Sequence, residues 1–384
     1  MTYNSRVETN SLYIHWPFCR YRCDFCPFVA LASHQDFMER YHKAICQEIE
    51  QFAALAKEKR DVDTVFLGGG TPSTWPDELL LDMSGKLKSV YHVKPLAEIT
   101  IEVNPGTVRV DQLDMWKEIG INRLSIGVQC LNDDVLKGLN RMHTAQDVFR
   151  LLRAAEKVFD NISVDLILGL PGVLECEWKD LLKSVVSWPI GHVSIYFLTV
   201  HEDTKLYFKI QSQKVSLPFE DNLVELFNWS VDFLAQHGFD QYEISNFAKK
   251  GYVCRHNEVY WDRKPYKGFG LGACSFDGTT RFQNTKSLMP YLQGIERGEC
   301  VEHFTETLTD KQVRLEKVML GLRRPKGVLI SEILDGLSQE QKDKVRKNVL
   351  FLKKNNFIVQ KDGVIILNPY YLTIENEIVM RLLD

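Results

Sequence analysis

Three cysteines stand close together in one short stretch of the chain, Cys19-Arg20-Tyr21-Arg22-Cys23-Asp24-Phe25-Cys26. The sequence contains nine cysteines, and the other six are scattered along its length. A zinc site commonly takes four protein ligands in two separated pairs, whereas three thiolates in one tight loop suit a [4Fe–4S] cluster with one iron free of protein ligands. That open iron can bind a substrate or cosubstrate. An incomplete zinc site and three buried cysteines acting as small hydrophobic residues remain as alternatives.

The composition is that of a globular protein. The chain has 384 residues, of which 45% are hydrophobic and 26% are charged, and its net charge is −4. This length suits two or three domains, and the charge argues against nucleic-acid binding through a global positive field. Residues 1–11 are polar and lack the apolar core of a signal peptide, and no stretch approaches the roughly 20 apolar residues of a membrane helix. We therefore expect a cytoplasmic protein with no transmembrane segment and no disulfide framework.

Short apolar runs alternate with amphipathic segments through the first half of the chain. The runs predict strands at Leu12–His15, Thr64–Leu67, Glu98–Val103, Arg123–Gly127, Ser163–Leu168 and Val193–Leu198. The segments between them predict helices at Asp36–Ala56, Asp77–Tyr91, Val110–Glu118, Ala145–Phe159 and Glu175–Val186. This alternation predicts an α/β fold with a parallel sheet. Six units are too few for an eight-stranded barrel, so we expect a partial (βα)6 barrel, resembling an open TIM barrel.

The unusual residues follow these strands in one register. The cysteine loop follows the first strand, Gly68-Gly69-Gly70-Thr71-Pro72 follows the second, and Gln129 follows the fourth. Glu102 lies near the end of the third strand and Asp165 lies in the fifth. Active sites of barrel-type α/β folds lie at the carboxyl ends of the strands. A single glycine-rich turn predicts little by itself. Polar or glycine residues at the ends of several successive strands, however, predict a functional site at this edge of the sheet.

The second half of the chain has a different pattern. We expect a barrel over residues 1–205, a middle region over 206–305 and a small unit over 306–384. The middle region contains a helix at Asp221–His237 and a loop-rich segment at Gly251–Gly278. The last unit contains helices at Asp310–Leu322 and Ser338–Lys354, followed by a turn and strand within Val359–Leu367, which is typical of a winged helix. It has no basic stripe, so we favour a packing role over nucleic-acid binding.

The cysteine loop after the first strand and the GGGTP run after the second resemble the radical S-adenosylmethionine (SAM) superfamily. In that superfamily SAM chelates the open iron, and reduction of the cluster cleaves SAM to a 5′-deoxyadenosyl radical. The glycines and the carboxylate of this chain are chemically suited to such a site. Glycines let the backbone approach a ligand closely because no Cβ intrudes, and a carboxylate such as Glu102 suits ribose hydroxyls or an amine.

The resemblance extends to the family of coproporphyrinogen dehydrogenases (HemN) and haem chaperones (HemW). It rests on Tyr13–Cys19, Gly68–Pro72, Ile101–Pro105, Ser125–Gln129, Asn140-Arg141 and Asp165–Pro171, which follow one another in the family's order. It implies cluster ligation by Cys19, Cys23 and Cys26. It also implies a middle region of HemN type. By the same resemblance the SAM site is lined by Tyr13, Gly70, Thr71, Glu102, Gln129, Arg141 and Asp165, with Phe25 packed on the adenine.

Two features favour the chaperone branch. The dehydrogenases typically have a fourth cysteine two residues after the third, where this chain has Phe28, and a longer amino-terminal arm than the 18 residues before Cys19. The chaperones carry an HNxxYW motif, which is His256–Trp261 here. The resemblance implies that His256 binds haem, and Asn257 could orient its ring. Two positions depart from the chaperone pattern, namely Val259 and the run Cys274–Phe276.

A structural histidine in a loop remains the alternative for His256, with Tyr260 and Trp261 as core residues. Cys254 is an alternative soft ligand. The resemblance implies a haem chaperone that binds a [4Fe–4S] cluster, SAM and haem and delivers haem to membrane haemoproteins, with SAM cleavage vestigial or regulatory. Whether the chain is an enzyme stays open. The alternatives are oxygen-independent decarboxylation of coproporphyrinogen III in porphyrin biosynthesis, or radical SAM chemistry on another tetrapyrrole.

Overall fold

The computed structural model describes residues 9–383 of the chain. Most of the polar stretch 1–11, on which the expectation of no signal peptide rests, therefore lies outside the described residues. No helix within the described part combines the length and apolar character needed to cross a membrane.

Strands and helices alternate through the first half of the chain. The strands are β1 Ser11–Trp16, β2 Phe18–Cys19, β3 Leu31–Ala32, β4 Asp61–Gly69, β5 His92–Val103, β6 Arg123–Gln129, β7 Ile162–Leu168, β8 His192–Phe197, β9 Asp240–Glu243, β10 Asn246–Ala248, β11 Lys267–Phe269, β12 Cys274–Phe276, β13 Thr280–Asn284, β14 Glu302–Thr307, β15 Val328–Leu329, β16 Ile358–Lys361 and β17 Val364–Leu367. The helices are α1 Met38–Ala53, α2 Asp77–Val90, α3 Val110–Glu118, α4 Asp133–Gly138, α5 Ala145–Ala155, α6 Glu175–Val185, α7 Lys205–Gln211, α8 Glu220–Gln236, α9 Arg255–Trp261, α10 Leu288–Glu296, α11 Asp310–Leu322, α12 Ile330–Leu334, α13 Gln339–Lys354 and α14 Glu375–Leu383.

The central sheet confirms the predicted α/β class. Its strand order is β11-β1-β4-β5-β6-β7-β8-β10-β9. The six predicted strands are neighbours and run parallel, as β1, β4, β5, β6, β7 and β8. The sheet is wider than predicted, because β11 adds in parallel beside β1, and β10 and β9 add in antiparallel fashion beyond β8. The parallel register brings the carboxyl ends of the six strands to one edge.

Burial on both faces explains the nearly continuous apolar runs of these strands. Leu12, Ile14 and Trp16 of β1 are fully buried. Trp16 stacks on Trp75, which follows the glycine loop, with ring centroids 4.2 Å apart. The helices pack their apolar faces onto the sheet and form one large core with it. This packing fixes the strand ends that carry the unusual residues.

The carboxyl-terminal residues form a smaller unit with a core of its own. Its elements in chain order are α11, β15, α12, α13, β16, β17 and α14, and its sheet has the order β15-β17-β16. The two predicted helices and the strands after them are present as α11, α13, β16 and β17, whereas β15, α12 and α14 were not predicted. The predicted boundaries after residues 205 and 305 remain predictions. Strand β14, which spans the second of them, pairs with β13 in a separate antiparallel sheet.

The prediction of a loop-rich segment at Gly251–Gly278 is wrong in part, because the segment contains α9, β11 and β12. The start of α9 has no side-chain cap from its own N-cap residue, Cys254. Instead the carboxylate of Glu98, on β5, accepts hydrogen bonds from the backbone N–H groups of Arg255 and His256, at 3.0 and 2.9 Å. The helix start is therefore satisfied by a residue distant in sequence, and the local signal is missing.

Candidate functional site

One cavity of about 590 Å³ opens at the carboxyl edge of the parallel strands. Its lining includes every site residue predicted from the sequence, namely Tyr13, Cys19, Cys23, Phe25, Cys26, Gly70, Thr71, Glu102, Gln129, Arg141, Asp165 and His256. Pockets of roughly 300–1,000 Å³ are typical of small-molecule and cofactor sites. The topology thus brings residues from β1, β4, β5, β6, β7 and α9 to one ligand-sized space.

The glycine loop closes tightly over the start of the cysteine loop. The N–H of Gly70 donates to the carbonyl of Trp16 over 2.8 Å, and the N–H of Thr71 donates to the carbonyl of Phe18 over 3.0 Å. A Cβ on Gly70 would lie 2.4 Å from the carbonyl oxygen of Pro17 and 3.0 Å from Cys19 Sγ. Only glycine fits there. The Thr71 hydroxyl donates to Cys19 Sγ over 3.2 Å.

The other end of the cysteine loop is held by the segment that carries Arg141. The guanidinium of Arg141 donates to Cys23 Sγ over 3.6 Å and to the carbonyl of Gly127 over 2.9 Å. The side-chain amide of Asn140 donates to the carbonyl of Arg22 over 2.8 Å, and the N–H of Asp24 donates to the carbonyl of Leu139 over 3.0 Å. Arg141 therefore connects the cysteine loop to the end of strand β6.

The three cysteine sulfurs do not all lie within 4.8 Å of one another. Among residues 9–383, one group of three His, Cys, Asp or Glu side chains brings its ligand atoms within 4.8 Å of one another, and it is not this loop. A cluster with several irons needs wider spacing than a tetrahedral zinc ion. Burial raises the pKa of Cys19 to about 11 and also raises the pKa of Cys26. Without metal these thiols are protonated, so metal binding must displace protons.

Tyr13 is held in place by a short relay. The imidazole of His15 donates from Nε2 to the carbonyl of Val29, at 2.8 Å, which leaves Nδ1 to accept from the Tyr13 hydroxyl at 3.0 Å. Burial lowers the pKa of His15 to about 4, so the ring is neutral and the relay stays intact at neutral pH. The relay joins β1 to the chain beyond Cys26.

Glu102 and Asp165 form an acidic pair within the cavity. The Glu102 carboxylate accepts from the N–H of Gly69 over 3.0 Å, and Asp165 accepts from the Ser125 hydroxyl over 3.0 Å. Burial, with the charge of Asp165 as a second cause, raises the pKa of Glu102 to about 7. Burial also raises the pKa of Asp165. A ligand that supplies a positive charge or hydroxyl donors would relieve this unfavourable pairing.

Gln129 and Phe25 also line the cavity. The backbone of Gln129 is left-handed, with φ of 66°, at a register shift in the pairing of β6 with β7. Such a bulge re-aims a side chain at the end of a strand. The ring of Phe25 packs against a small apolar cluster that includes Leu136 and Leu170, and it is only partly buried. One face of the cavity therefore offers an aromatic surface beside the cysteines.

His256 lines the cavity and is only 1% exposed, and we call the part of the lining that it forms the cavity floor. Its Nδ1 lies 2.8 Å from the hydroxyl oxygen of Thr64 and its Nε2 lies 2.9 Å from the hydroxyl oxygen of Tyr260, so both ring nitrogens have partners. Thr64 precedes Gly69, the last residue of β4, by five positions, which is about 16 Å of strand at about 3.3 Å per residue. Burial and the nearby charge of Arg123 lower the pKa of His256 to about 3, so its ring is neutral.

The comparisons with known proteins give one consistent result. The family model described as "Radical SAM superfamily" matches residues 13–185. A Bacillus subtilis protein named "Heme chaperone HemW" is 36% identical over 83% of this chain and 84% of its own. A Synechocystis protein of the same name is 34% identical over 90% of this chain and 85% of its own. The chain belongs to the HemW family of the radical SAM superfamily.

A solved structure shows the same fold for a distant relative. Its description is "Coproporphyrinogen III oxidase (HemN) from Escherichia coli is a Radical SAM enzyme". It superposes with a TM-score of 0.85 over 99% of this chain and 92% of its own, at 24% identity. Membership of the radical SAM superfamily implies a [4Fe–4S] cluster and SAM.

Two details of the HemW motif differ from expectation. His256 lies on helix α9 rather than in a loop, and Asn257 does not orient it, because the Asn257 side-chain amide donates to the Tyr242 hydroxyl over 3.4 Å. The orienting groups are those of Thr64 and Tyr260. Cys254 also lies on the cavity lining, with its sulfur 3.6 Å from a Glu98 carboxylate oxygen.

Sequence reasoning missed several residues of this HemW-family cavity. Arg123, Asn104 and His192 line it and are buried. The Nε of Arg123 and the Oδ1 of Asn104 are buried and have no hydrogen-bond partner among the described residues. A basic residue that opens an otherwise apolar strand was the available signal for Arg123. Asn104 was recognised at the end of the third predicted strand, but no role was assigned to it.

Proposed function

We propose that this chain is a haem chaperone that binds a [4Fe–4S] cluster and SAM and carries haem to haemoproteins, membrane-bound ones included, from the cytoplasm. The observation that carries the proposal is the single cavity that joins the cysteine loop, the acidic pair and the HNxxYW histidine. Relatives at 36% and 34% identity over most of the chain bear the name of haem chaperone. The phenylalanine at position 28, in place of a fourth cysteine, also favours this branch over the dehydrogenase.

The cavity residues fit the cluster and SAM. We assign Cys19, Cys23 and Cys26 as cluster ligands, because all three line the cavity and their sulfurs do not all lie within 4.8 Å of one another. When bound, the cluster and SAM supply one-electron chemistry that no side chain provides. The chain's own groups bind and orient. Thr71 and Arg141 donate to cysteine sulfurs, and Gly70 leaves room beside them.

The remaining predicted residues suit the body of SAM. The carboxylate of Glu102 is held by the Gly69 N–H and suits ribose hydroxyls or the amino group, and Asp165 stands beside it. Phe25 offers a partly buried ring for the adenine. Tyr13, Gln129 and Asn104 add polar side chains to the lining of the same space.

Haem ligation by His256 requires that Nε2 exchange the Tyr260 hydroxyl for iron. The ring is neutral, which is the form that ligates iron. Helix α9 is held at its start by Glu98 and near its end by Arg324, which donates to both Glu258 carboxylate oxygens over 2.7 Å. Because Arg324 belongs to the carboxyl-terminal unit, a movement of α9 that opens the cavity floor would also strain this contact.

A haem capture and transfer experiment tests the proposal. Cluster-loaded protein is titrated anaerobically with haem, separated from free haem, and mixed with an apo-haemoprotein whose holo spectrum is distinct. We expect about one haem per chain and transfer faster than from free haem at the same concentration. Haem that stays in solution, or transfer no faster than from free haem, would contradict the proposal.

A further inference from the structure

A second group of metal-binding side chains lies outside the cavity, on the outer helices. His42 and Cys46 stand on α1, and Asp82 stands on α2. None of the three lines the cavity. Residues four apart on a helix share one face, so the imidazole and the thiol project together toward the neighbouring helix. Their ligand atoms and the Asp82 carboxylate oxygen all lie within 4.8 Å of one another.

The spacing of these atoms is close to that of a tetrahedral zinc site. The distances are 3.6 Å from Cys46 Sγ to His42 Nε2, 2.8 Å from His42 Nε2 to Asp82 Oδ2, and 3.9 Å from Cys46 Sγ to Asp82 Oδ2. Zinc bonds of about 2.0–2.3 Å at tetrahedral angles place a sulfur and a nitrogen about 3.6 Å apart, and two lighter ligand atoms about 3.3 Å apart. The carboxylate needs to move by about half an ångström, which an exposed side chain can do.

The surroundings suit a small site with one open side. His42 and Cys46 are buried, whereas the Asp82 side chain is 62% exposed, so an ion can enter from solvent on the Asp82 side. Lys86 lies nearby but is paired with the Glu50 carboxylate. The ring of Trp75 packs edge-on against His42, with centroids 6.2 Å apart. His42 Nδ1 has no hydrogen-bond partner among residues 9–383.

We propose that His42, Cys46 and Asp82 form a Zn²⁺ site that links α1 to α2, with a water or small ligand in the fourth position. A thiolate, an imidazole and a carboxylate are all ligands that zinc takes in proteins. Ion binding displaces the thiol proton of Cys46 and moves the imidazole proton to Nδ1. Helix α1 follows the cysteine loop and helix α2 follows the glycine loop. The ion would therefore hold together the two helices that come directly after these loops.

The affinity should fall short of that of structural zinc sites. Zinc-bound histidines usually donate their second N–H to an acceptor, and loss of such a partner typically costs about 10–100-fold in affinity. His42 Nδ1 has no such acceptor among the described residues. A site that exchanges its ion with solution chelators is therefore expected, rather than one that keeps its ion through purification.

The test measures Zn²⁺ binding to the cluster-loaded protein, in which the loop cysteines are occupied by iron. Equilibrium dialysis against buffered Zn²⁺ should give one zinc per chain in addition to the cluster iron. Asp82→Asn and Cys46→Ser should each weaken this binding at least tenfold. Cys176→Ser, which removes an exposed thiol on α6, serves as the control and should leave it unchanged.

A second measurement uses Co²⁺ as a spectroscopic substitute. Wild-type protein should show a thiolate-to-cobalt charge-transfer band in the difference spectrum against cluster-loaded protein alone, and Cys46→Ser should lack it. If Cys46→Ser does not fold, Asp82→Asn tests the site by itself, because the Asp82 side chain is exposed and can be replaced without disturbing the core. No stoichiometric zinc in the wild type, or zinc binding that survives in Asp82→Asn, would overturn the proposal. Neither result bears on the haem chaperone proposal, which rests on the cavity.

Discussion

The Thr71 hydroxyl donates a hydrogen bond to the sulfur of Cys19 across 3.2 Å. Cys19 ends the short strand β2, Thr71 follows β4, and the two residues lie 52 positions apart in the sequence. The glycine loop is thereby in direct contact with a cysteine that we assign to the cluster. Its position depends on Gly70, whose N–H bonds to the chain just before Cys19.

Gly70→Ala should prevent the two loops from closing on each other. The new Cβ would lie 2.4 Å from a backbone carbonyl oxygen that cannot move aside freely. We expect a loss of roughly 1–3 kcal/mol in the free energy of unfolding, as for overpacking, and a reduced cluster content. Gly85→Ala is the matched control, because a Cβ there meets nothing within 4 Å on helix α2. It should stabilise the protein by about 0.5–1 kcal/mol. Chemical denaturation gives the unfolding free energy of each variant. Equal values for Gly70→Ala and Gly85→Ala would contradict the claim that a side chain at position 70 clashes with the cysteine loop.

Cys23→Ala should abolish the cluster. Wild-type protein reconstituted anaerobically should carry about four irons per chain, as a [4Fe–4S] site requires. Cys176→Ala should match the wild type, because that thiol is exposed and lies outside the cavity. Iron and sulfide analysis gives the measurement. A full cluster in Cys23→Ala would mean that the loop is not the ligand set.

Glu102→Gln should change how stability depends on pH in the cluster-free protein. The pKa of Glu102 is raised from 4.5 to about 7 in the fold. Below pH 4.5 the Glu102 carboxyl is protonated in both the folded and the unfolded protein. Above that pH the carboxyl ionises in the unfolded chain before it does in the folded protein, so the stability of the folded protein falls as the pH rises to about 7. Relative to the wild type, the variant should gain about 2 kcal/mol in unfolding free energy between pH 5 and pH 8. A difference that is equal at both pH values would show that Glu102 ionises normally.

His256→Gln and Tyr260→Phe together test haem ligation. If Nε2 binds iron, removal of the imidazole should weaken haem binding at least tenfold, whereas Tyr260→Phe frees Nε2 and should preserve or raise the affinity. The pKa of about 3 keeps the ring neutral, so binding through it should not change between pH 5 and pH 8. Haem titrations followed by absorption give both results. Unchanged haem spectra in His256→Gln would leave this histidine with a structural role at the cavity floor.

Much of the barrel could be predicted because its signals are local. Helix α3 begins and ends at the predicted residues, Val110 and Glu118, and the fourth parallel strand was placed within two residues of its true end at Gln129. Parallel strands that are covered on both faces must be apolar, and turns after them must be polar or glycine-rich. The shared register of those turns was enough to gather the predicted residues at one edge of the sheet.

The parts that escaped prediction depend on partners distant in sequence. Helix α9 starts where Glu98 of β5 caps it, and β11 is a three-residue edge strand that includes the buried Lys267. Neither element shows a hydrophobic periodicity from which it could be predicted in the sequence. The spacing of His42 and Cys46 was visible in the sequence, but Asp82 joins them only through the packing of α1 against α2.

The most direct measurement separates a carrier of haem from an enzyme that acts on a porphyrinogen. Cluster-loaded protein is incubated anaerobically with reductant, SAM and coproporphyrinogen III, and a parallel sample receives haem. We predict that haem is retained on the chain, weakened by His256→Gln, and that no protoporphyrinogen IX forms. Formation of protoporphyrinogen IX, with no haem retained, would contradict the chaperone proposal and establish the dehydrogenase.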